Sequence, residues 1–137
     1  MDNSVEWEIE DRLIRTITSG SQTVEVMIDT SATIVSMLES SSAETIHIIC
    51  DLSDITTMPL DLLHMKQALE WTHHPKVGWI VSYGTRNSAI TYVTSVLGRL
   101  LNVKYQHQPS YPQAISFLMK KDGSIGNFAK LVERNSA

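Results

Sequence analysis

A stretch rich in hydroxyl groups follows a short apolar run in this sequence. Ser53, Asp54, Thr56 and Thr57 come soon after the apolar block that begins at Ile46. Ligands of open α/β sheets bind just outside the carboxyl ends of the strands, so a hydroxyl here could accept a phosphate or contact a partner. The same residue types more often serve turns and helix caps. Turn and cap roles are therefore favoured for these residues, and all four are kept as binding candidates.

A second candidate site lies between a later strand and a later helix of the pattern. Thr85, Arg86 and Asn87 follow Gly84. Free backbone amides at a helix start, with an arginine nearby, could hold an anion. No glycine-rich phosphate motif of the dinucleotide or P-loop type accompanies them. An ordinary strand-to-helix turn is therefore favoured, and the three residues are kept as binding candidates.

Metal binding and covalent catalysis have little support in the sequence. Adjacent His73 and His74 point about 100° apart on a helix, and no further histidine or cysteine pair completes a ligand pattern. We predict structural or surface roles for all the histidines: His47, His64, His73, His74 and His107. Cys50, in an apolar run without a cationic neighbour, is predicted to be a core thiol. We expect no metal, no cofactor and no enzymatic activity.

Two catalytic arrangements can be tested directly against the sequence. A phosphoacceptor receiver domain would use Asp51, Ser82 and Lys104, but it also needs an acidic pair after its first parallel strand to hold Mg²⁺. The adjacent acids Glu10 and Asp11 lie instead in a predicted hairpin turn. No serine occupies the Gly-x-Ser-x-Gly turn of α/β-hydrolases. Both arrangements are therefore rejected.

Composition indicates a globular chain of ordinary domain size. The sequence has 137 residues, 42% hydrophobic and 19% charged, with a net charge of -4. Scattered cations in an acidic chain argue against nucleic-acid binding, because phosphate contact needs clustered lysine and arginine. No apolar run is long enough to span a bilayer, and the N-terminus lacks a signal-peptide pattern. A single cysteine cannot form an internal disulfide, so a cytoplasmic location is expected.

Hydrophobic periodicity predicts the elements that position these residues. Alternation from Val5 to Ile9, then a run from Leu13 to about Thr18, predicts a β-hairpin that ends where Ser19–Ser21 breaks the pattern. Apolar blocks predict three more strands, and helical spacing with caps predicts four helices. The strands are Ile46–Cys50, Val77–Tyr83 and about Val103–His107; the helices are about Val24–Ser40, Pro59–His73, Asn87–Leu101 and Tyr111–Lys121.

The order ββαβαβαβα predicts a single α/β domain over residues 1–121. Strands alternating with helices indicate a mostly parallel, mixed sheet of four or five strands with right-handed crossovers. The segment Leu52–Met58 is predicted to bend out of the central strand, because it does not continue the strand pattern. Residues 122–137 are predicted to be a tail that can form a short helix.

This arrangement resembles the STAS or SpoIIAA-like fold of anti-sigma-factor antagonists and related regulatory domains. The resemblance rests on the hairpin, on Ile46–Cys50 leading into Asp51–Ile55 and Met58, and on Trp79–Gly84, and it covers about Val5–Lys121. It implies a non-enzymatic regulatory domain. In phosphoregulated members, Asp-Ser-Ser-Gly follows the Met58-like position, whereas this sequence has Pro59-Leu60-Asp61-Leu62. No serine occupies that place, so the kinase-driven switch is not carried over.

Two functional hypotheses from different classes remain. The preferred one is a regulatory domain that binds a protein partner or a second copy of itself, through the loops after the central strands and the second helix. The alternative is a carrier whose second and third helices part from the sheet to admit a small hydrophobic, lipid-like molecule. Met58, Met65, Trp71 and Tyr92 suit such a pocket, although these residue types are equally common in a core. Neither hypothesis involves membrane insertion.

Overall fold

The computed structural model describes residues 3–59 and 61–123, which form one α/β unit. Its strands are β1 Ser4–Ile9, β2 Leu13–Ser21, β3 Ile46–Thr57, β4 Val77–Tyr83 and β5 Tyr105–Gln108. Its helices are α1 Val24–Ser40, α2 Leu62–Ala68, α3 Ser88–Leu100 and α4 Tyr111–Lys121, with a 3₁₀ helix Glu70–His73 after α2. The strands lie in the order β1-β2-β3-β4-β5. The predicted tail falls outside the described residues from position 124 onward.

The sheet is mixed, as predicted. Strands β1 and β2 are antiparallel, and each later neighbouring pair is parallel. Helices α3 and α4 begin after their predicted caps, Asn87 and Ser110, and α1 begins at Val24 as the helical spacing predicts, with Thr23 as its cap. All three cap side chains accept backbone N–H groups of the first turn. The predicted fold class and element order are confirmed.

Strand β3 is buried on both faces of the sheet. Ile48 shares a core cluster with Ile34 of α1 and with Trp71 of the 3₁₀ helix. Ile49 faces the opposite side and shares a cluster with Ile115 of α4. Neither isoleucine has exposed surface. Full burial of such a side chain stabilises the fold by roughly 1.5–3 kcal/mol, so β3 anchors both halves of the core.

The predicted bend after Asp51 is wrong, because β3 continues to Thr57. Strand β2 also continues through Ser19–Ser21, where the sequence pattern predicts a break. The two extensions pair with each other, Ser19 with Asp54 and Ser21 with Thr57. Each polar extension is therefore held as a strand by backbone hydrogen bonds to the other.

Register shifts explain why the sequence pattern misses this extension. The pairing of β2 with β3 shifts twice beyond Ile17, as in a bulged ladder. As a result Leu52 and Ile55 are both buried, three positions apart, while the residues between them are exposed. A search for period-two alternation does not detect strands of this kind.

Two other boundaries differ from the prediction. Helix α2 begins at Leu62 and not at Pro59, because the Asp61 side chain accepts the backbone N–H of His64 at 3.2 Å and so caps the helix. Strand β5 begins at Tyr105 and not at Val103, because the backbone N–H of Val103 still bonds to the carbonyl of Gly98 in α3 at 3.2 Å.

A buried histidine ties β3 to β4 and to the end of α4. His47 is 4% exposed, and its Nδ1 accepts the backbone N–H of Trp79 at 2.8 Å. Since Nδ1 is an acceptor, Nε2 carries the hydrogen and donates to Asp122 Oδ2 at 3.0 Å. His47 is thus held at both ring nitrogens.

The packing of His47 against Gly78 provides a test. A Cβ at Gly78 would lie 2.5 Å from His47 Nδ1, and the ring cannot move without losing a hydrogen bond. We expect Gly78→Ala to lower the free energy of unfolding by about 1–3 kcal/mol, measured by urea denaturation. In a His47→Ala background the cost should be much smaller, and equal costs in the two backgrounds would contradict this packing.

Candidate functional site

Both predicted segments lie at the carboxyl edge of the parallel strands. We call the following residues the edge surface: Ser53, Asp54, Thr56 and Thr57 of β3, with Thr85, Arg86 and Asn87 before α3. Gly84 has a φ of +96°, which favours glycine, and a Cβ there would overlap the Ser53 hydroxyl. The turn from β4 to α3 therefore packs directly against β3. The structure brings the two segments together.

Several side chains of the edge surface already hold local structure. Thr85 Oγ1 accepts the backbone N–H of Asn87 at 3.1 Å. The Asn87 side chain in turn accepts the N–H groups of Ala89 at 2.9 Å and Ile90 at 3.4 Å. Thr57 Oγ1 lies 2.6 Å from the Ser21 hydroxyl. These contacts occupy the amides that an anion would need, which favours the ordinary turn at α3. The binding roles of these residues stay a prediction.

A small apolar cluster packs the edge surface onto the rest of the domain. Leu52 and Ile55 of β3 pack with Ile90 in the first turn of α3, and Met58 packs against them. Two exposed residues follow each of the buried residues Leu52 and Ile55 along the strand. The hydroxyl-rich segment is therefore fixed to the core and presented as a defined surface.

A charge cluster lies beside the edge surface, on the face of the sheet that α4 covers. Arg15 Nη2 donates to Asp51 Oδ2 at 2.9 Å, and its Nε donates to the Tyr83 hydroxyl at 3.2 Å. Glu6 and Glu8 lie 3.8 and 3.7 Å from Arg15 Nη1. One cation thus faces carboxylates on both sides, from β1 and from β3.

Arg15 is absent from the predicted site residues, although the sequence holds a signal for it. It lies between Leu13 and Ile17, at a position that the alternation of a strand places on the same face as those two apolar residues. A charged side chain on an inward face requires partners, because desolvating an unpaired charge is costly. The strand alternation indicates that Arg15 needs an oppositely charged partner, but it does not identify that partner as Asp51.

The electrostatics of this cluster fix Asp51 as an anion. Partial burial opposes its ionisation, but hydrogen bonds from Ser53 and Arg15 outweigh that effect, and the pKa of Asp51 lies below its usual value. Burial, together with the nearby Asp51 charge, raises the pKa of Tyr83 far above its usual range. Because the backbone N–H of Ser53 donates to Asp51 at 2.9 Å, this cluster also orients the first residue of the edge surface.

An apolar cavity of about 140 Å³ lies on the opposite face, between the sheet and the helices that cover it, and it is partly open to solvent. A helical stripe of α3, Thr94, Leu97, Gly98 and Leu101, forms one wall. Met58 and Trp71 line the cavity, as suggested for a carrier pocket. Met65 belongs instead to the buried core, and Tyr92 lies outside the stripe and is 68% exposed.

Polar side chains cross the sheet at the floor of this cavity. Thr16, Cys50 and Ser82 lie in register on three neighbouring strands and line it. Burial raises the pKa of the Cys50 thiol to about 11, so it stays a neutral thiol. The Ser82 hydroxyl contacts the Tyr105 hydroxyl and lies 2.9 Å from His107 Nδ1. These residues come from four strands, so no local sequence motif joins them.

Neither a metal site nor a membrane-spanning helix is found within residues 3–59 and 61–123. Over those ranges, no three or more histidine, cysteine, aspartate or glutamate side chains are placed to bind a metal ion together. None of the helices described there is both long enough and apolar enough to cross a membrane.

Comparison with solved structures identifies the fold. One match is an uncharacterised DUF3478-family protein from Shewanella loihica, with a TM-score of 0.62, 15% identity, and coverage of 85% of this chain and 91% of that chain. That protein is described as having a SpoIIAA-like fold. This chain has a SpoIIAA-like fold. A second match is the anti-sigma factor antagonist SpoIIAA in its unphosphorylated form, with a TM-score of 0.52, 11% identity, and coverage of 85% and 96%.

The SpoIIAA-like fold confirms the resemblance inferred from the sequence. No family model and no curated protein matches this chain, so the likeness is one of fold. The charge cluster and the cavity are therefore interpreted from this chain's own residues.

The Arg15 cluster predicts acid sensitivity. Since the pKa of Asp51 is lower in the folded chain than its unfolded value of about 3.9, its ionisation stabilises the fold above that pH, and the contribution is lost as the pH falls towards the folded pKa. We expect Asp51→Asn to lower the free energy of unfolding by about 2 kcal/mol near neutral pH, and the difference from wild type to shrink in acid.

Urea unfolding across this pH range measures the difference. Asp54→Asn is the matched control, because Asp54 is an exposed neighbour on the same strand and should behave as wild type. A cost at Asp51 that did not change with pH would contradict the charge pairing.

Proposed function

We propose that this chain is a non-enzymatic regulatory domain that binds a protein through the edge surface and the adjoining first turn of α2. The SpoIIAA-like fold supports a regulatory role, because a solved protein with the same fold is an anti-sigma factor antagonist. The partner is a different protein or a second copy of this chain. Nucleic acid is an unsuitable partner for a chain with a net charge of -4 and scattered cations.

The helices that follow the two halves of the edge surface along the chain present exposed apolar side chains, and these carry the proposal. Leu62 is 44% exposed and Leu63 is 82% exposed, and both belong to the first turn of α2, which follows β3. Tyr92 is 68% exposed on α3, which follows the other half of the edge surface. Single exposed apolar residues are common, but adjacent large ones indicate contact surfaces. Tyrosine is also enriched among residues that dominate binding energy.

The polar residues of the edge surface supply a suitable rim. Ser53 and Thr56 offer exposed hydroxyls, and Asp54 and Arg86 offer exposed charges of opposite sign. Protein interfaces commonly have an apolar centre surrounded by hydrogen-bonding groups, and rim charges orient the partner. The edge surface therefore supports recognition of a protein with a mixed apolar and polar contact area.

The residues around this edge support binding without chemistry. Thr85 and Asn87 are used in capping α3, and Asp51 is paired with Arg15. The four residues directly after Met58, Pro59–Leu62, contain no serine, so we propose that binding is not switched by phosphorylation at the place used by phosphoregulated members of the resembled family. A cytoplasmic location is part of the proposal and is supported by the single cysteine.

The proposal is tested by placing a photo-crosslinking amino acid at position 63 in the host cell. We expect one dominant adduct, whose mass identifies a second copy of the chain or another protein. The matched control is position 119, because Met119 is 40% exposed on α4, away from the edge surface. With the purified pair, Leu63→Ser should weaken binding by about 2 kcal/mol, whereas Met119→Ser should not. Equal effects of the two substitutions would contradict the proposed surface.

The cavity favours a second candidate function, a carrier or sensor of a small apolar molecule. Its volume of about 140 Å³ is close to that of apolar cavities, of about 150 Å³, that bind benzene. Ile34, Leu69 and Leu97 give it apolar walls. This function is compatible with the first, since a molecule inside the cavity would contact Ile55 and Met58, which support the edge surface.

Toluene is a suitable probe of this second function. We expect toluene to raise the Tm of the wild-type protein in a concentration-dependent way, because a ligand that binds only the folded state stabilises it. Leu97→Phe should abolish the shift by filling the cavity. Leu100→Phe, the same change at a 61% exposed position of the same helix, should preserve it. Absence of any shift in the wild-type protein would rule out the apolar cavity as a ligand site.

A further inference from the structure

The floor of the cavity is a continuous row of hydrogen-bonding side chains. Thr16 pairs in register with Cys50, Cys50 with Ser82, and Ser82 with His107, across strands β2 to β5. Beyond the row the lining surface is mostly apolar and includes Ile34, although it also contains a few neutral polar residues, among them Asn3, Gln22 and Thr72. The cavity therefore combines a polar row on the sheet with a mostly apolar, uncharged lining.

Around Ser82 the hydroxyl groups form a hydrogen-bonded network. Ser82 is 2% exposed and contacts both the Tyr105 hydroxyl and His107 Nδ1. Tyr105 is also within hydrogen-bonding reach of Thr94. The Thr94 hydroxyl donates its own hydrogen to the carbonyl of Thr91 at 3.0 Å. Ser82, Tyr105 and Thr94 all line the cavity, so this hydroxyl network borders the space that a ligand would occupy.

Counting the hydrogens of this network shows which hydrogen-bonding positions remain for a ligand. Tyr105 and His107 cannot both donate to Ser82 without leaving the buried Ser82 hydrogen unpaired, which is unfavourable. If Tyr105 donates to Ser82, then Ser82 donates to His107. If His107 donates to Ser82, then Ser82 donates to Tyr105, and Tyr105 can donate to Thr94. Each hydroxyl has one hydrogen and two acceptor positions. In both of these arrangements the Ser82 and Tyr105 hydrogens are used within the network, and acceptor positions on the Ser82 and Tyr105 oxygens are left over.

The cavity also offers no partner for a charged ligand. Among the lining residues that the structure describes, none is aspartate, glutamate, lysine, arginine or histidine. His107 lies behind Ser82, and burial lowers the pKa of its imidazole, which favours the neutral ring. An ion inside such walls would lose its hydration without gaining a counter-charge.

We propose that the cavity binds a small neutral molecule with one ring, or a branched chain of similar size, that carries a hydroxyl donating its hydrogen to Ser82 or Tyr105. This inference rests on the second candidate function and adds the chemistry of the ligand's head group. The volume sets the size, the neutral walls exclude ions, and the spare acceptors select a hydrogen-bond donor. Simple phenols and small alcohols belong to this class.

The test compares ring probes of similar size in calorimetric titrations of the full chain: toluene without a polar group, anisole with an acceptor only, phenol with a hydroxyl, and benzoate with a charge. Ser82→Ala and Tyr105→Phe each remove one acceptor oxygen. We expect the variant that removes the oxygen accepting the ligand's hydrogen to weaken phenol binding about tenfold, the usual worth of one hydrogen bond, and both variants to leave toluene and anisole binding unchanged. Benzoate should not bind.

The outcomes separate this inference from the function on which it rests. If toluene binds and the two variants weaken phenol and toluene alike, the head-group inference is wrong while the carrier function stands. If no probe binds the wild-type protein, both are wrong. Ser36→Ala, at an exposed serine of α1 that does not line the cavity, is the matched control and should change none of the affinities. Circular dichroism checks that each variant is folded, and Tyr105→Phe keeps the ring that packs against Gly98.

Discussion

Burial of β3 from both sides is the constraint on which the rest of the molecule depends. Because side chains of a strand alternate, Ile48 and Ile49 enter different halves of the core. Helix α4 covers one half, and α1 with the 3₁₀ helix covers the other. The same alternation then assigns the next two residues, Cys50 to the cavity and Asp51 to the charge cluster.

The two faces of the sheet consequently have different chemistry. On the α4 face, Asp51 and Arg15 are charged and satisfy each other, which suits a structural role. On the other face, the row from Thr16 to Ser82 is neutral and borders an open volume. A buried charge needs a fixed counter-charge, whereas a neutral hydroxyl can exchange one partner for another at little cost. The neutral face is therefore better suited to admitting a small molecule.

The edge surface lies at the carboxyl ends of the parallel strands, where both faces of the sheet terminate. Its polar side chains partly satisfy each other, as at Thr57 with Ser21 and at Asn87 with the first amides of α3. The groups that local structure does not explain are apolar ones, Leu63 above all, which is 82% exposed. Exposure of that much apolar surface is unfavourable in an isolated domain, and contact with another protein removes it from water. This is why we propose that the apolar residues beside this surface bind a partner, while its polar residues orient that partner.

The sequence alone determined the element order, the buried central strand, the start of α1 from its apolar spacing, and the starts of α3 and α4 at their caps, because periodicity and capping depend on residues within one or two turns of each other. It also indicated that Arg15 needs a partner. Only the tertiary structure decided that β3 extends to Thr57, that the partner is Asp51, and that Thr16, Cys50, Ser82 and His107 form one row. These relations join residues far apart in the chain, and they follow from strand register, which the pairing of whole strands sets and no local pattern encodes.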